Sequence, residues 1–145
     1  MTIASILRRK GGEVVAVGVQ DEVGAVTRIL AEARIGAVLV RDDGGDVLGI
    51  VSERDIVRAM ALHGADAVGM PAAQLMTRAL HTVTPRTRIG EALTLMTDRR
   101  CRHLPVMEDD GSLAGLVSIG DLVKARIEEA VHEAEELRHY VESAG

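Results

Sequence analysis

The stretch GIVSERD at 49–55 returns as GLVSIGD at 115–121, and the two copies lie 66 positions apart. Comparing residues 23–59 with 89–125 at that offset needs no gap. Gly24, Arg34, Val40, Asp43, Gly45, Gly49, Val51, Ser52, Asp55, Val57 and Ala59 fall on Gly90, Arg100, Val106, Asp109, Gly111, Gly115, Val117, Ser118, Asp121, Val123 and Ala125. A period this long marks a duplicated supersecondary unit rather than a solenoid step. A chain of 145 residues is large enough for one sizeable core and small for two. The copies are therefore expected to share a core and to be related by an approximate twofold axis.

Each copy passes from a helical to an extended pattern in the same order. Residues 22–34 place Val23, Val26, Ile29, Leu30 and Ala33 at helical spacing, and residues 88–99 do so with Ile89, Ala92, Leu93 and Met96. Strands are predicted at 37–41 and 47–52 around DDGGD, and at 103–107 and 113–118 around EDDGS, both hairpin turns. A further helix is predicted at 53–63 and again from about residue 120 onward, with short extended pieces at 14–17 (VVAV) and 81–83 (HTV). Between the copies, GADAVGMPAAQLMT reads as a packed linker with a short helix near 72–77. The predicted fold class is α/β (α+β), each repeat running strand, helix, strand, strand, helix. The first repeat with its N-terminal segment takes 1–70, the second 71–127, and an acidic helical tail 128–145.

Composition narrows the function classes. Tyr140 is the sole aromatic residue, so Val, Ile, Leu, Ala and Met must fill the interior, and this near absence of aromatics weakens any reading based on stacked single-stranded bases. The formal charge of −5 is uneven: residues 128–145 hold six of the 22 acids and one of the 17 bases, leaving a balanced body and an acidic tail. Neither part carries the basic stripe that duplex DNA requires. Cys101, the single cysteine, excludes an intrachain disulfide and suits a reducing compartment. The start, MTIASILRRKGG, puts apolar residues before basic ones, with too short an apolar core for a signal peptide. No apolar run approaches a membrane span. A cytoplasmic location, with no membrane or nucleic-acid partner, is the expectation.

RIGAVLV at 34–40, RHLPV at 102–106 and both G-hydrophobic-V-S-x-x-D stretches, repeated at fixed spacing, resemble a tandem pair of CBS domains. That family, named after cystathionine beta-synthase, calls the pair a Bateman module, and the resemblance spans about residues 3–127. It implies two sheets side by side, clefts between the repeats that bind adenosine-containing ligands, and homodimers shaped as flat discs. It also implies that Asp55 and Asp121 hold ribose hydroxyls while Ser52 and Ser118 lie near phosphate. The chemistry fits, since a carboxylate accepts hydrogen bonds from two vicinal hydroxyls and a hydroxyl beside free helix N–H groups seats an anion. The same residues equally read as helix caps of the capping-box type, and both roles can coexist. Gly49 and Gly115 mark bulges, or let a ligand approach the strand backbone.

The copies differ around these motifs. Repeat 2 carries Arg102 and His103 before Leu104 and Pro105, where repeat 1 has Gly36 and Ala37. The resemblance implies phosphate contacts for such basic groups, with Pro105 in the same ligand-binding strand. It places Thr82 and Thr84 beside the adenine pocket, whereas the offset gives Ala16 and Gly18 in repeat 1. Repeat 2 is thus the better equipped, with Arg54 and Asp55 the contribution of repeat 1.

Catalytic signatures are missing from the sequence. There is no G-x-S-x-G, P-loop or dinucleotide fingerprint, and His63, His81, His132 and His139 show no zinc spacing. Cys101 reads as a small apolar core residue. The expectation is a non-enzymatic, stand-alone sensor that binds AMP, ADP, ATP or NAD and signals to a separate protein. A ligand-free dimerisation module is the alternative, and a small nucleotide hydrolase a third reading. In the tail, Ile127, Ala130, Ala134, Leu137 and Val141 alternate steps of three and four. That seam packs either on a second subunit or on its own domain as a solvated helix.

Overall fold

The computed structural model describes residues 1–144. Its elements are α1 (Ile3–Lys10), β1 (Ala16–Gly18), α2 (Val23–Ala33), β2 (Ala37–Arg41), β3 (Val47–Ser52) and α3 (Glu53–His63). A 3₁₀ turn (Gly64–Gly69), α4 (Ala72–Leu75), α5 (Ile89–Arg99), β4 (His103–Met107), β5 (Leu113–Ser118) and α6 (Ile119–Ala144) follow. The duplication is carried into hydrogen-bond register. Val17 pairs with Val40, Ala37 with Ser52 and Val40 with Gly49; at the same offset Val83 pairs with Val106, His103 with Ser118 and Val106 with Gly115. Even the irregularity after Val40 recurs after Val106.

Local chemistry explains the repeated elements. α2 buries Val23, Val26 and Leu30, and α5 buries Ile89, Ala92 and Met96, one apolar stripe each. Both helices end on a left-handed arginine, Arg34 (φ 55°) and Arg100 (φ 53°), where the backbone N–H reaches back to Leu30 and Met96. The hairpins turn through Gly45 (φ 86°) and Gly111 (φ 85°), conformations a side chain resists.

Two compact units result, Glu13–Leu80 and the combination of Met1–Gly12 with His81–Gly145. The N-terminal segment, grouped on sequence order with residues up to 70, therefore packs with the second repeat. The reason is visible in its burial: Ile3 and Ile6 of α1 enter the cluster formed by Val83, Ile89, Leu104, Val106, Val117 and Leu122. Its first N–H groups bond to the carbonyls of Thr87 and Pro85. Likewise Ala72 and Met76, which open the second repeat in sequence, join the cluster of Val17, Val26, Leu30, Val38, Val40 and Val51. The interior is thus two clusters instead of the single shared core that length suggested.

Other departures are small. The HTV stretch makes one bridge, at Val83, and no strand. The linker helix stops at Leu75 because residues 76 and 77 turn extended to reach β3. α1 had no counterpart in the sequence reading.

These closing segments explain the strand glycines. A Cβ on Gly49 would lie 2.8 Å from the Thr77 carbonyl oxygen and 2.9 Å from the Met76 sulfur; one on Gly115 would lie 2.7 Å from a Leu7 methyl. The space beside each glycine is taken by the protein's own chain, not left for a ligand. Gly49→Ala collides with backbone and is expected to cost about 1–3 kcal/mol, whereas Gly115→Ala meets the end of a flexible side chain and should cost under about 1 kcal/mol. Urea unfolding of the two variants checks this, and equal losses would contradict it.

Candidate functional site

β3 runs into α3 without a loop, so the first helical N–H groups need acceptors. Ser52 and Asp55 supply them reciprocally: the Asp55 N–H donates to Ser52 Oγ (3.3 Å), and the Ser52 N–H donates to Asp55 Oδ2 (2.9 Å). Ser52 Oγ–H also donates to that oxygen (3.0 Å). The second repeat builds the same box, with 3.1 Å from the Asp121 N–H to Ser118 Oγ and 2.9 Å from the Ser118 N–H to Asp121 Oδ2. The capping reading of these four residues is therefore realised. Asp55 is 7% exposed and is the single buried charged residue among those described.

Each carboxylate has a further partner from the segment that closes its unit. Thr77 donates its hydroxyl to Asp55 Oδ1 (3.2 Å), and its backbone N–H donates to the carbonyl of Ile50 (2.8 Å). In the other unit one ammonium does both jobs. Lys10 Nζ donates to Asp121 Oδ2 (2.7 Å) and to the carbonyl of Leu116 (3.0 Å), the residue that the 66-position offset places on Ile50. Burial pushes the Asp121 carboxyl up, but the Lys10 hydrogen bond, the Ser118 N–H and the Lys10 charge outweigh it and hold the carboxyl below its ordinary range. Arg58 adds a longer contact to Asp55, 3.7 Å. Sequence comparison missed Lys10 because the gapless offset sets Thr77 against Gly11. The usable signal was RRK closing an apolar helix directly ahead of a glycine pair.

The remaining candidates divide. His103 opens β4 directly across from Ser118, and Pro105 lies buried in the same strand opposite Leu116, so register brings both beside the Asp121 junction. Val83 brackets β4 from its other edge: its N–H donates to Pro105, and its carbonyl accepts from Met107. Thr82, exposed, comes just before Val83 in the chain. Thr84 is half spent on a turn, taking the Arg86 N–H on its hydroxyl and donating its own N–H to Thr87. Arg102 is exposed, and its carbonyl accepts from the Ile119 N–H at the start of α6. Arg54 is exposed in the first turn of α3. Cys101 is half-buried against the core, and burial pushes its thiol up. Among the described residues no group of three or more His, Cys, Asp or Glu side chains could hold a metal ion, and no helix is long and apolar enough to cross a membrane.

Comparison with known proteins bears on this geometry. The CBS domain family model matches residues 3–62 and 72–128. The mitochondrial CBS domain-containing protein CBSX3 of Arabidopsis thaliana is 34% identical over 149 residues, covering 97% of this chain and 72% of that protein. The crystal structure of a CBS-domain containing protein from Agrobacterium tumefaciens superposes with a TM-score of 0.84 at 41% identity, covering 86% of this chain and 92% of its own. The crystal structure of CBSX2 in complex with AMP matches at 25% identity and a TM-score of 0.72, over 89% of this chain and 98% of that one. The chain belongs to the CBS domain family and carries two copies of the domain, an α+β Bateman module.

The Lys10–Asp121 pair has a defined pH signature. Its carboxyl is depressed in the folded state, so the contribution is present above the unfolded value of about 3.9 and is lost as pH falls through the folded one. Lys10→Met is expected to lower stability by about 0.5–1 kcal/mol at neutral pH. The gap from the parent chain should close on acidification through the carboxylate range, as read by urea unfolding at both pH values. A gap that does not change with pH would assign the loss to packing.

Proposed function

We propose that this protein is a regulatory sensor that holds an adenosine-containing nucleotide, of the AMP, ADP, ATP or NAD class, on its Ser–Asp junctions. The observation that carries the reading is the orientation of two carboxylates. Each has one oxygen fixed by the box with its serine, so the side chain is aimed before any ligand arrives, and a preorganised carboxylate grips vicinal hydroxyls at little entropic cost. The AMP complex of a family member supports the ligand class. The second repeat is the stronger candidate for a phosphorylated ligand. Lys10, His103 and Arg102 lie in or next to the segments that meet at Asp121, and a cation there complements phosphate.

Signalling needs no covalent step. A nucleotide shifts a conformational equilibrium by its differential affinity for the two states, typically about 1–3 kcal/mol of coupling, and a separate protein reads the state. We place the protein in the cytoplasm, as a homodimer without catalytic activity of its own. The exposed apolar stripe of α6 favours dimerisation as a function that would stand even with empty nucleotide sites.

Thermal unfolding with AMP, ADP, ATP and NAD separates the readings, because a ligand of the folded state stabilises by RT ln(1 + [L]/Kd). At least one nucleotide is expected to raise the melting temperature progressively with concentration. Asp121→Asn keeps an oxygen acceptor for the Ser118 N–H but gives up the Lys10 charge pair, so the unliganded protein should lose about 0.5–1 kcal/mol, while nucleotide binding weakens roughly tenfold or more. No shift with any nucleotide at millimolar concentration leaves the dimerisation module as the function.

A further inference from the structure

The place that a diol needs on Asp121 is already taken from within the same unit. Asp121 Oδ2 accepts the Ser118 N–H at 2.9 Å and the Lys10 ammonium at 2.7 Å. A carboxylate oxygen offers about two lone-pair sites, so this one has no room for a further donor. Its two donors differ in freedom. The Ser118 N–H is backbone, fixed at the end of β5, whereas Lys10 Nζ sits on a flexible four-carbon stem whose side chain is 38% exposed. The helix behind the lysine does not have to move with it. Buried Ile3 and Ile6 anchor α1, Leu7 packs at Gly115, and Arg9 pairs with Glu128. Asp121 itself remains within reach of a ligand, its side chain 25% exposed.

We propose that Lys10 makes the Asp121 site select phosphorylated nucleosides over nucleosides, by standing in for the ligand's hydroxyl donor until a phosphate draws it away. The inference rests on the nucleotide reading above and names the side chain that sets its ligand class. Vicinal hydroxyls that span both carboxylate oxygens need a place on Oδ2, and the movable ammonium is the donor that yields. Its departure breaks two contacts at once, because Nζ also donates to the Leu116 carbonyl at 3.0 Å. A nucleoside gives the released ammonium no new anion. A 5′-phosphate, carried on the same sugar, does, and a charge-assisted hydrogen bond to it offsets the loss. Discrimination then comes from a cost that one ligand class recovers and the other does not. The donor at the first junction cannot act this way. Thr77 holds Asp55 with a neutral hydroxyl on a short stem, and its backbone exchanges two hydrogen bonds with Ile50, so it neither travels nor brings charge to a phosphate.

Isothermal titration of the full chain with AMP and with adenosine, which differ in the phosphate alone, tests the assignment on the parent, Lys10→Met and Lys10→Arg. Circular dichroism checks that each is folded. The parent is expected to bind AMP roughly tenfold or more tighter than adenosine. In Lys10→Met, adenosine should bind roughly threefold or more tighter than in the parent, because no ammonium has to leave, while AMP binds more weakly and the preference for AMP falls roughly fivefold or more. Lys10→Arg keeps a cation and should hold the preference within roughly threefold of the parent. A lysine with a merely structural role would weaken both ligands alike, so an unchanged preference in Lys10→Met overturns the proposal. Adenosine that binds Lys10→Met no tighter than the parent, or a Lys10→Arg as unselective as Lys10→Met, overturns it too. A parent that binds both ligands equally keeps the nucleotide reading and refutes the role of Lys10, whereas a parent that binds neither removes the nucleotide reading and this inference with it.

Discussion

At each strand-to-helix junction one carboxylate is held from two sides, and the site inherits its geometry from that restraint. The backbone enters α3 and α6 directly from a strand, leaving N–H groups that a neighbouring side chain must satisfy. The serine accepts one of them, the aspartate three residues later takes the N–H of the serine, and the loop this would otherwise need disappears. A cap of this kind is worth about 1 kcal/mol. Its larger consequence is orientation, because a carboxylate locked by its own helix end cannot swing to suit each ligand. On the function proposed above, stability and recognition are coupled at the same atoms.

The two junctions are completed by different chemistry. Thr77 offers Asp55 a neutral hydroxyl, whereas Lys10 offers Asp121 an ammonium, and both also bond the corresponding strand carbonyl. The duplication thus preserved the backbone and varied the electrostatics. The Asp121 carboxylate therefore has its charge answered by an ammonium at 2.7 Å. At Asp55 the buried negative charge has Thr77 and the more distant Arg58 as its partners. The repeats are physically unequal, for a reason additional to the Arg102 and His103 difference.

Much of this was legible in the sequence where the signal is periodic or repeated. The strand limits 37–41, 47–52, 103–107 and 113–118 and the helix at 53–63 coincide with the observed elements, because turn glycines and a serine cap bound them sharply. What the sequence concealed is non-local. α1 carries Ile3, Ile6 and Leu7, and its place beside the second repeat depends on contacts with residues about eighty positions away. Lys10 was hidden for the same reason, since its role depends on that docking and not on any local motif. The glycines at 49 and 115 were read as bulge markers or as places where a ligand approaches the backbone; the register shifts lie directly beside them, and Met76, Thr77 and Leu7 occupy the space a ligand would take.

The carboxylate–diol contact is the core of the functional account, and the ligand itself can probe it without altering the protein. Isothermal titration of the full chain with AMP and with 2′,3′-dideoxy-AMP compares two ligands that share adenine and phosphate and differ in the hydroxyls alone. The dideoxy compound is expected to bind at least roughly tenfold more weakly, the cost of leaving the carboxylate acceptor without its donors. Equal affinity for the two would contradict it.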